Sequence, residues 1–505
     1  MTLVSTSEPL DVDGLVVPRQ LLIAGSWQDA SGGGIVDVIN PSDASVITGI
    51  ADADVEDGLA AVDGAAAAFP EWAATPPRRR AEILRRCFEL MTERSEQIAH
   101  LISLENGKAL GDARGEVAYA AEFFRWYAEE AVRIIGEVSV SPSGSNRILV
   151  QHQPIGVCVL ITPWNFPAAM ATRKLAPALA AGCTAVLKPA TLTPLTTLAI
   201  AQLMIDAGVP AGVVNIITTS KTNDVMSPIL ADPRVRKLSF TGSTGVGRHL
   251  LRQAADNVLK CSMELGGNAP FLVFDDADLD LALDGAMIAK MRNGGQACTA
   301  ANRIYVQRGI HDEFARRLAE RMGAMRVGPG TDADTEVGPL VDEASVRKVD
   351  SLVRDAVNQG ARLLAGGKAI EGAGYYYPPT VVTNVPLQAR MVSDEIFGPV
   401  ASVIPFDTEE EVIAAANDSE YGLAAYVFTE DLRRGLRVSE RIESGMVALN
   451  RGLVSDPAAP FGGVKQSGLG REGAHQGLLD FTETKYIALD CSPRCLRFHQ
   501  KREDQ

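Results

Sequence analysis

An α/β architecture with two parallel-sheet layers is the expectation for this chain, and three observations carry it. From 156 to 241 short apolar segments, GVCVLI, TAVLKP, VVNII and LSFTG, alternate with helical stretches, the pattern of a parallel sheet covered on both faces. From 266 to about 465 the alternation repeats with FLVF, RIYVQ, VVTNV, ASVIPF, AAYVF and MVALN. The length of 505 residues exceeds what one hydrophobic core sustains, so the two runs are read as separate layers.

Taken in order, residues 1–20 read as a loose arm ending at Pro18, and LLIAGSW and IVDVINP as short strands. The alanine-rich stretch 55–72 has helical periodicity, 78–96 repeats apolar residues at helical spacing after Pro76-Pro77, and 111–135 is a third helix. Arg78, Arg79 and Arg80 read as a solvated helix start without a function. Between 138 and 153, VSV and ILV flank the turn-forming run from Pro142 to Asn146, which predicts a hairpin. A lone hairpin is marginal in water, so this one must pack on something.

Helices at 168–181 and 194–207 separate the strands of the first run. The run from Gly242 to Gly247, GSTGVG, then opens a helix at 244–256. Small residues there leave backbone amides free for a pyrophosphate, or simply make a strand-to-helix turn. No GxGxxG follows the first strand, so this Rossmann-type layer lacks the ordinary glycine fingerprint. The second run carries helices at 277–293, 312–324, 343–359, 409–417 and 431–443. FTETKYIAL at 481–489 offers a strand that can join the hairpin, and 491–505 fits no element.

Composition excludes several classes of partner. A formal net charge of -15 opposes nucleic acid and anionic membrane, which need basic patches. No apolar run approaches the length of a membrane helix and no basic leader opens the chain, so a soluble cytoplasmic protein is expected. Seven cysteines, at 87, 158, 183, 261, 298, 491 and 495, are scattered without CxxC and read as free thiols of a reducing compartment. With the six histidines isolated as well, no metal site is expected.

The chemistry concentrates in Arg292 to Arg303, RNGGQACTAANR. Glycines beside Cys298 let backbone amides approach whatever the sulfur attacks, which covalent catalysis requires. A buried structural cysteine after a Gly-Gly helix stop is the plainer reading. Glu264, in MELGGNAP, lies 34 residues earlier and reads as a base or as a strand-end surface charge. Asn165, in TPWNFP, reads as a hydrogen-bond donor or as a turn residue. A papain-type thiol hydrolase would need a local signature and a partnered histidine, and neither is present.

Those three motifs, with Lys188 in KPA, FTGSTGVG at 240–247 and DEIFGP at 394–399, resemble the NAD(P)-dependent aldehyde dehydrogenase superfamily in order and spacing from about 21 to 489. TRKLAPALAAGC (172–183), GNAPFLVFDDADLD (267–280) and PFGGVKQSGLGREG (460–473) are most similar to succinate-semialdehyde dehydrogenases. The resemblance implies an aldehyde dehydrogenase-like fold: a cofactor-binding domain from 21–135 and 155–265, a catalytic domain at 266–479, and a small β oligomerisation element from 136–154 and 480–490. The 1–20 arm and the 491–505 tail stand outside these.

It further implies that Cys298 attacks an aldehyde to give a thiohemiacetal and then a thioester, that Asn165 meets the oxyanion with the Cys298 amide, and that Glu264 activates the deacylating water. Lys174 and Glu472 would form a proton relay. NAD or NADP would lie against Thr162, Trp164, Lys188, Thr191, Gly242, Ser243, Gly247, Leu265, Glu395 and Phe397. Thr191 stands where many NAD-preferring relatives carry glutamate, so NADP is admissible. Arg173, Arg292 and Ser455 would hold a substrate carboxylate, making succinate semialdehyde the expected substrate, with glutarate semialdehyde or another aldehyde next and a catalytically silent relative the remaining alternative. A homodimer or homotetramer is implied. Cys298 follows an expected helix end, the wrong pole for a thiolate, so its activation must come from amides, the cofactor or Lys174.

Overall fold

The computed structural model describes residues 6–490. An eight-stranded mixed sheet runs in the order Gly468–Leu469, Lys260–Glu264, Val235–Thr241, Val157–Ile161, Thr184–Lys188, Val214–Ile216, Leu21–Ile23, Ser26–Gln28. Its five inner strands from Lys260–Glu264 to Val214–Ile216 are parallel and its edges antiparallel. Val157–Ile161 and Thr184–Lys188 are buried throughout because helices cover both faces. Cys158 and Leu160 pack with helices Pro77–Glu93, Leu110–Glu130 and Pro167–Ala181. Val157, Val159 and Ile161 point the other way, toward helices Val55–Ala74 and Thr222–Ala231.

A second sheet takes the order Arg362–Ala365, Thr380–Thr383, Val400–Phe406, Ala301–Gln307, Ala269–Val273, Ala424–Phe428, Met446–Leu449. Only its first pair is antiparallel. The third sheet, Thr482–Asp490, Asn146–Pro154 and Glu137–Val140, joins the expected hairpin to the late strand. Its Val138, Val140 and Leu489, which share one face by register, are 67%, 59% and 45% exposed, an apolar face without cover in the single chain. No helix among the described residues is long and apolar enough to cross a membrane.

Several expectations change. Residues 1–20 are not a loose arm where described: Leu10–Val12 and Leu15–Val17 form a hairpin whose Val12, Leu15 and Val17 enter the first core. Asp13 and Gly14, with φ of 52° and 80°, make the Asp-Gly turn that sequence reading passed over. The stretch 78–96 begins a first helix, Pro77–Glu93, and Ser95–Asn106 follows it across a non-helical Arg94. Arg80 is not solvated; its Nε donates to the Ala180 carbonyl near the end of helix Pro167–Ala181. Thr222–Ala231 went unforeseen because Pro228 interrupts its pattern. The chain leaves the second layer before 479, since Gly468–Leu469 pairs with Lys260–Glu264 in the first sheet. The expected tail at 491–505 lies outside the described residues.

Candidate active site

The cleft that matters opens where the parallel strands of the first layer end, at Ile161, Thr241 and Glu264, and where those of the second begin, at Ala269, Ala301 and Val400. Its walls include Trp164, Asn165, Met170, Gly242, Ser243, Leu265, Cys298, Glu395 and Phe397. Ends of parallel strands leave backbone groups without sheet partners, which is why α/β proteins bind there.

Cys298 is partly exposed into this cleft. Helix Leu279–Met291 stops short of it, and Asn293, Gly294 and Gly295 turn the chain away with φ of 52°, 57° and 76°. Cys298 thus follows a helix C-terminus, as expected, with a left-handed turn between them. Burial pushes the thiol up to about 12, with Arg173 and Arg292 opposing and Glu395 and Glu264 adding to the rise. At rest the nucleophile is a thiol.

The loop is fixed by side chains of its own and of its neighbours. Asn293 N donates to Asp112 Oδ2 at 2.8 Å, Val341 N donates to Gln296 Oε1 at 3.0 Å, and Tyr426 Oη donates to the Thr299 carbonyl at 2.8 Å. Two glycines let other backbones press in. A Cβ on Gly267 would lie 2.2 Å from the Cys298 carbonyl oxygen, and one on Gly295 would lie 2.1 Å from that of Gly398. MELGGN, RNGGQAC and DEIFGP thus meet backbone to backbone.

Asn165 precedes helix Pro167–Ala181 and is 5% exposed. Its Nδ2 donates to the Gln296 carbonyl at 3.0 Å, leaving a second N–H, and its Oδ1 has no partner among the described residues. Glu264 ends its strand buried, with neither carboxylate oxygen partnered among the described residues. Burial raises its pKa well above the usual range, Glu472 adds to the rise, and Lys174 opposes it. Lys174 Nζ in turn donates to Glu472 Oε1 at 2.5 Å and to Ser239 Oγ at 2.9 Å, so the expected relay pair is assembled.

For a dinucleotide, the fit is visible at two places. Lys188 is buried at a strand end, its ammonium reaching only Thr191 Oγ1 at 3.5 Å, and burial lowers it to about 8. Helix Thr244–Asp256 starts at the cleft with no side-chain cap from Ser243, which leaves its first amides for an anion. Thr162 N bonds the Lys188 carbonyl, and Gly247 lets Leu265 pack against the helix. Glu395 accepts from Gly267 N at 3.2 Å, and burial pushes it up to about 7. Phe397 holds φ of 57°, unusual for an aromatic residue, with its ring edge-on to Trp164 at 5.3 Å. Ser345 and Lys348, on helix Glu343–Asn358, line the same cleft and carried no sequence signal.

A second cleft is lined by Tyr119, Met287, Met291, Arg292, Met325 and Ser455. Arg292 stacks over Phe166 at 4.7 Å and Tyr119 at 5.7 Å, and it has no ion-pair partner among the described residues. Arg173 is buried behind Tyr119, bonded to the Tyr119 hydroxyl at 2.5 Å and to Glu472 Oε2 at 3.5 Å, and lines neither cleft. Its Nε has no partner among the described residues, and its charge is felt at Cys298.

The aldehyde dehydrogenase family model matches residues 27–487. The chain belongs to this family. It is 57% identical to the succinate-semialdehyde dehydrogenase of Paenarthrobacter nicotinovorans, over 87% of this chain and 98% of that protein. It is 48% identical to a glutarate-semialdehyde dehydrogenase of Pseudomonas putida, over 94% and 99%. A crystal structure of an Escherichia coli NADP-dependent enzyme superimposes with a TM-score of 0.92 at 49% identity, covering 94% of this chain and 98% of that one. The protein is an aldehyde dehydrogenase that oxidises an aldehyde to an acid with NAD or NADP.

Proposed function

We propose that the preferred substrate is a short aldehyde bearing a carboxylate, succinate semialdehyde first and glutarate semialdehyde next. The observation that carries this is Arg292: a guanidinium set against two aromatic rings, facing a cleft beside Ser455, without an ion pair among the described residues, although Asp112 of the same cleft lies near enough to feel its charge. A carboxylate ligand pairs with that guanidinium in bidentate geometry, and the apolar Met287, Met291 and Met325 suit its methylene chain. Relatives named for both semialdehydes agree with this class. Arg173, with its Nε unpartnered among the described residues and its charge felt at Cys298, remains the second cation of the clamp beside Arg292 and Ser455.

In this reading the Cys298 sulfur adds to the aldehyde carbon as the carbonyl π bond opens, and the thiol proton leaves through the cleft. The free Asn165 N–H and the Cys298 amide receive the alkoxide, an arrangement worth roughly 3 to 4 kcal/mol for one such donor. NAD or NADP would be held by Lys188 at its adenosine ribose, by the Thr244 helix start at its pyrophosphate and by Glu395 at its nicotinamide ribose, and when bound it would supply the hydride acceptor. Glu264, once ionised, takes a proton from water as its oxygen attacks the thioester, and the Lys174–Glu472 pair passes that proton on. The C–S bond then breaks, and the Cys298 sulfur takes the proton of the new carboxyl group, so that the product leaves as a carboxylate and the cysteine as a thiol.

The three-stranded sheet, with its bare apolar face, serves as the contact with a second copy, in a homodimer or homotetramer. The cofactor-binding, catalytic and oligomerisation segments follow the division given above, apart from the strand at 468–469, and the cytoplasm is the compartment that suits free thiols. Arg292→Ala tests the substrate. KM for succinate semialdehyde should rise at least tenfold, while KM for butanal stays within about twofold. Equal losses on both substrates would discard the carboxylate clamp.

A further inference from the structure

The strongest unassigned feature is a buried ion pair under the oxyanion donor. Lys108 and Glu116 have fully buried side chains, and Lys108 Nζ donates to Glu116 Oε2 at 2.5 Å. Neither faces a cleft, and breaking such a pair is costly, so both charges need a reason to be there. Lys108 Nζ also donates to the backbone carbonyl of Asn165 at 2.7 Å and lies 4.1 Å from the Phe166 ring centre. Glu116 Oε1 accepts from Ala168 N at 2.8 Å and Ala169 N at 3.3 Å, anchoring the first turn of helix Pro167–Ala181. One ion pair thus grips the chain on both sides of Phe166-Pro167.

The grip reaches the nucleophile loop. The Asn165 carbonyl that takes the Lys108 proton also accepts from Asn293 Nδ2 at 2.8 Å. Asn293 Nδ2 donates as well to the Gln296 carbonyl at 3.2 Å, and that carbonyl receives the Asn165 side-chain amide at 3.0 Å. Three hydrogen bonds therefore link the Asn165 backbone, Asn293, Gln296 and the Asn165 side chain in a circuit that closes through Asn165 itself. Lys108 fixes its backbone corner at Asn165. Asn106, two residues earlier, adds a donor to the Trp164 carbonyl at 3.0 Å.

We propose that Lys108, neutralised by Glu116, is a positioning residue for the reaction: it holds the Asn165 carbonyl so that the Asn165 amide stays aimed at the developing oxyanion above Cys298. The proposal rests on the reading of Asn165 as oxyanion donor. Lys108 touches neither substrate nor cofactor, so its loss should misplace the donor while leaving both binding clefts in place. Misplacement by about 1 Å can cost on the order of 100-fold in rate.

A double-mutant cycle tests it on the full-length enzyme. Lys108→Met should lower kcat at least tenfold with KM for aldehyde and cofactor within about twofold, and Lys108→Arg should restore part of the loss. Asn165→Ala should lower kcat by about 100-fold or more. In the Asn165→Ala background, Lys108→Met should cost less than about twofold further, because the group it positions is gone. Equal costs of Lys108→Met in both backgrounds would overturn the proposal. An unimpaired Asn165→Ala would instead overturn the oxyanion reading beneath it. Should Lys108→Met fail to fold, the Lys108→Met/Glu116→Gln pair leaves no lone buried charge and carries the same cycle.

Discussion

Glu264 shows how one residue trades stability for chemistry. Its carboxyl is buried without a partner among the described residues and its pKa is raised, so the folded state holds a proton that the unfolded chain releases near the ordinary value. Stability attached to that proton is present at low pH and is lost as pH rises from the ordinary carboxylate range through the raised folded value. Glu264→Gln should remove this loss, giving a higher Tm than the parent at pH 8 and little difference near pH 4. The same variant should give a stoichiometric burst of NAD(P)H followed by slow turnover, because hydride transfer precedes the water step; an absent burst would make Glu264 a thiol activator instead. Cys298, Glu264 and Asn165 were legible in the sequence because their motifs constrain several neighbours at once. Arg173 was legible only by its spacing, which could not show its contact with a glutamate 299 positions away. Lys108 and Glu116 gave no signal, because a buried pair closed through a backbone carbonyl leaves no pattern in the chain.

At the scale of elements, the site depends on loops that meet without side chains between them. Gly267→Ala would drive its methyl into the Cys298 carbonyl at 2.2 Å, so the cysteine loop must shift while both sheets stand. The expected outcome is a loss of kcat of about 100-fold or more, with far-UV circular dichroism unchanged. Full activity would show that the loop tolerates displacement. Sequence periodicity found nearly every central strand of both layers, since strands buried on two faces read as apolar runs between helices. It merged or missed what such patterns hide: the break at Arg94, the helix around Pro228, and the Asp13-Gly14 turn within a supposed arm. The turn after Met291 lay beyond it as well, because three successive positive φ values follow from packing against Gly398 as much as from Gly294-Gly295.

Across the whole molecule, two layers and one antiparallel sheet divide the labour. Val138 and Val140 alternate onto one exposed face of that sheet, where a second copy is proposed to dock. Val138→Lys/Val140→Lys should lower the mass seen by light scattering toward that of one chain, and an unchanged mass would place the contact elsewhere. One cleft holds Cys298 and fits a dinucleotide, and the other presents the Arg292 guanidinium, which has no ion pair among the described residues. Their joint consequence is selectivity in the unmodified enzyme. Following nicotinamide absorbance with NAD+ and NADP+, kcat/KM for succinate semialdehyde should exceed that for butanal by at least 100-fold with whichever cofactor is better, a charge-assisted bidentate pair being worth about 2 to 3 kcal/mol. Equal values, or a preference for butanal, would contradict the account.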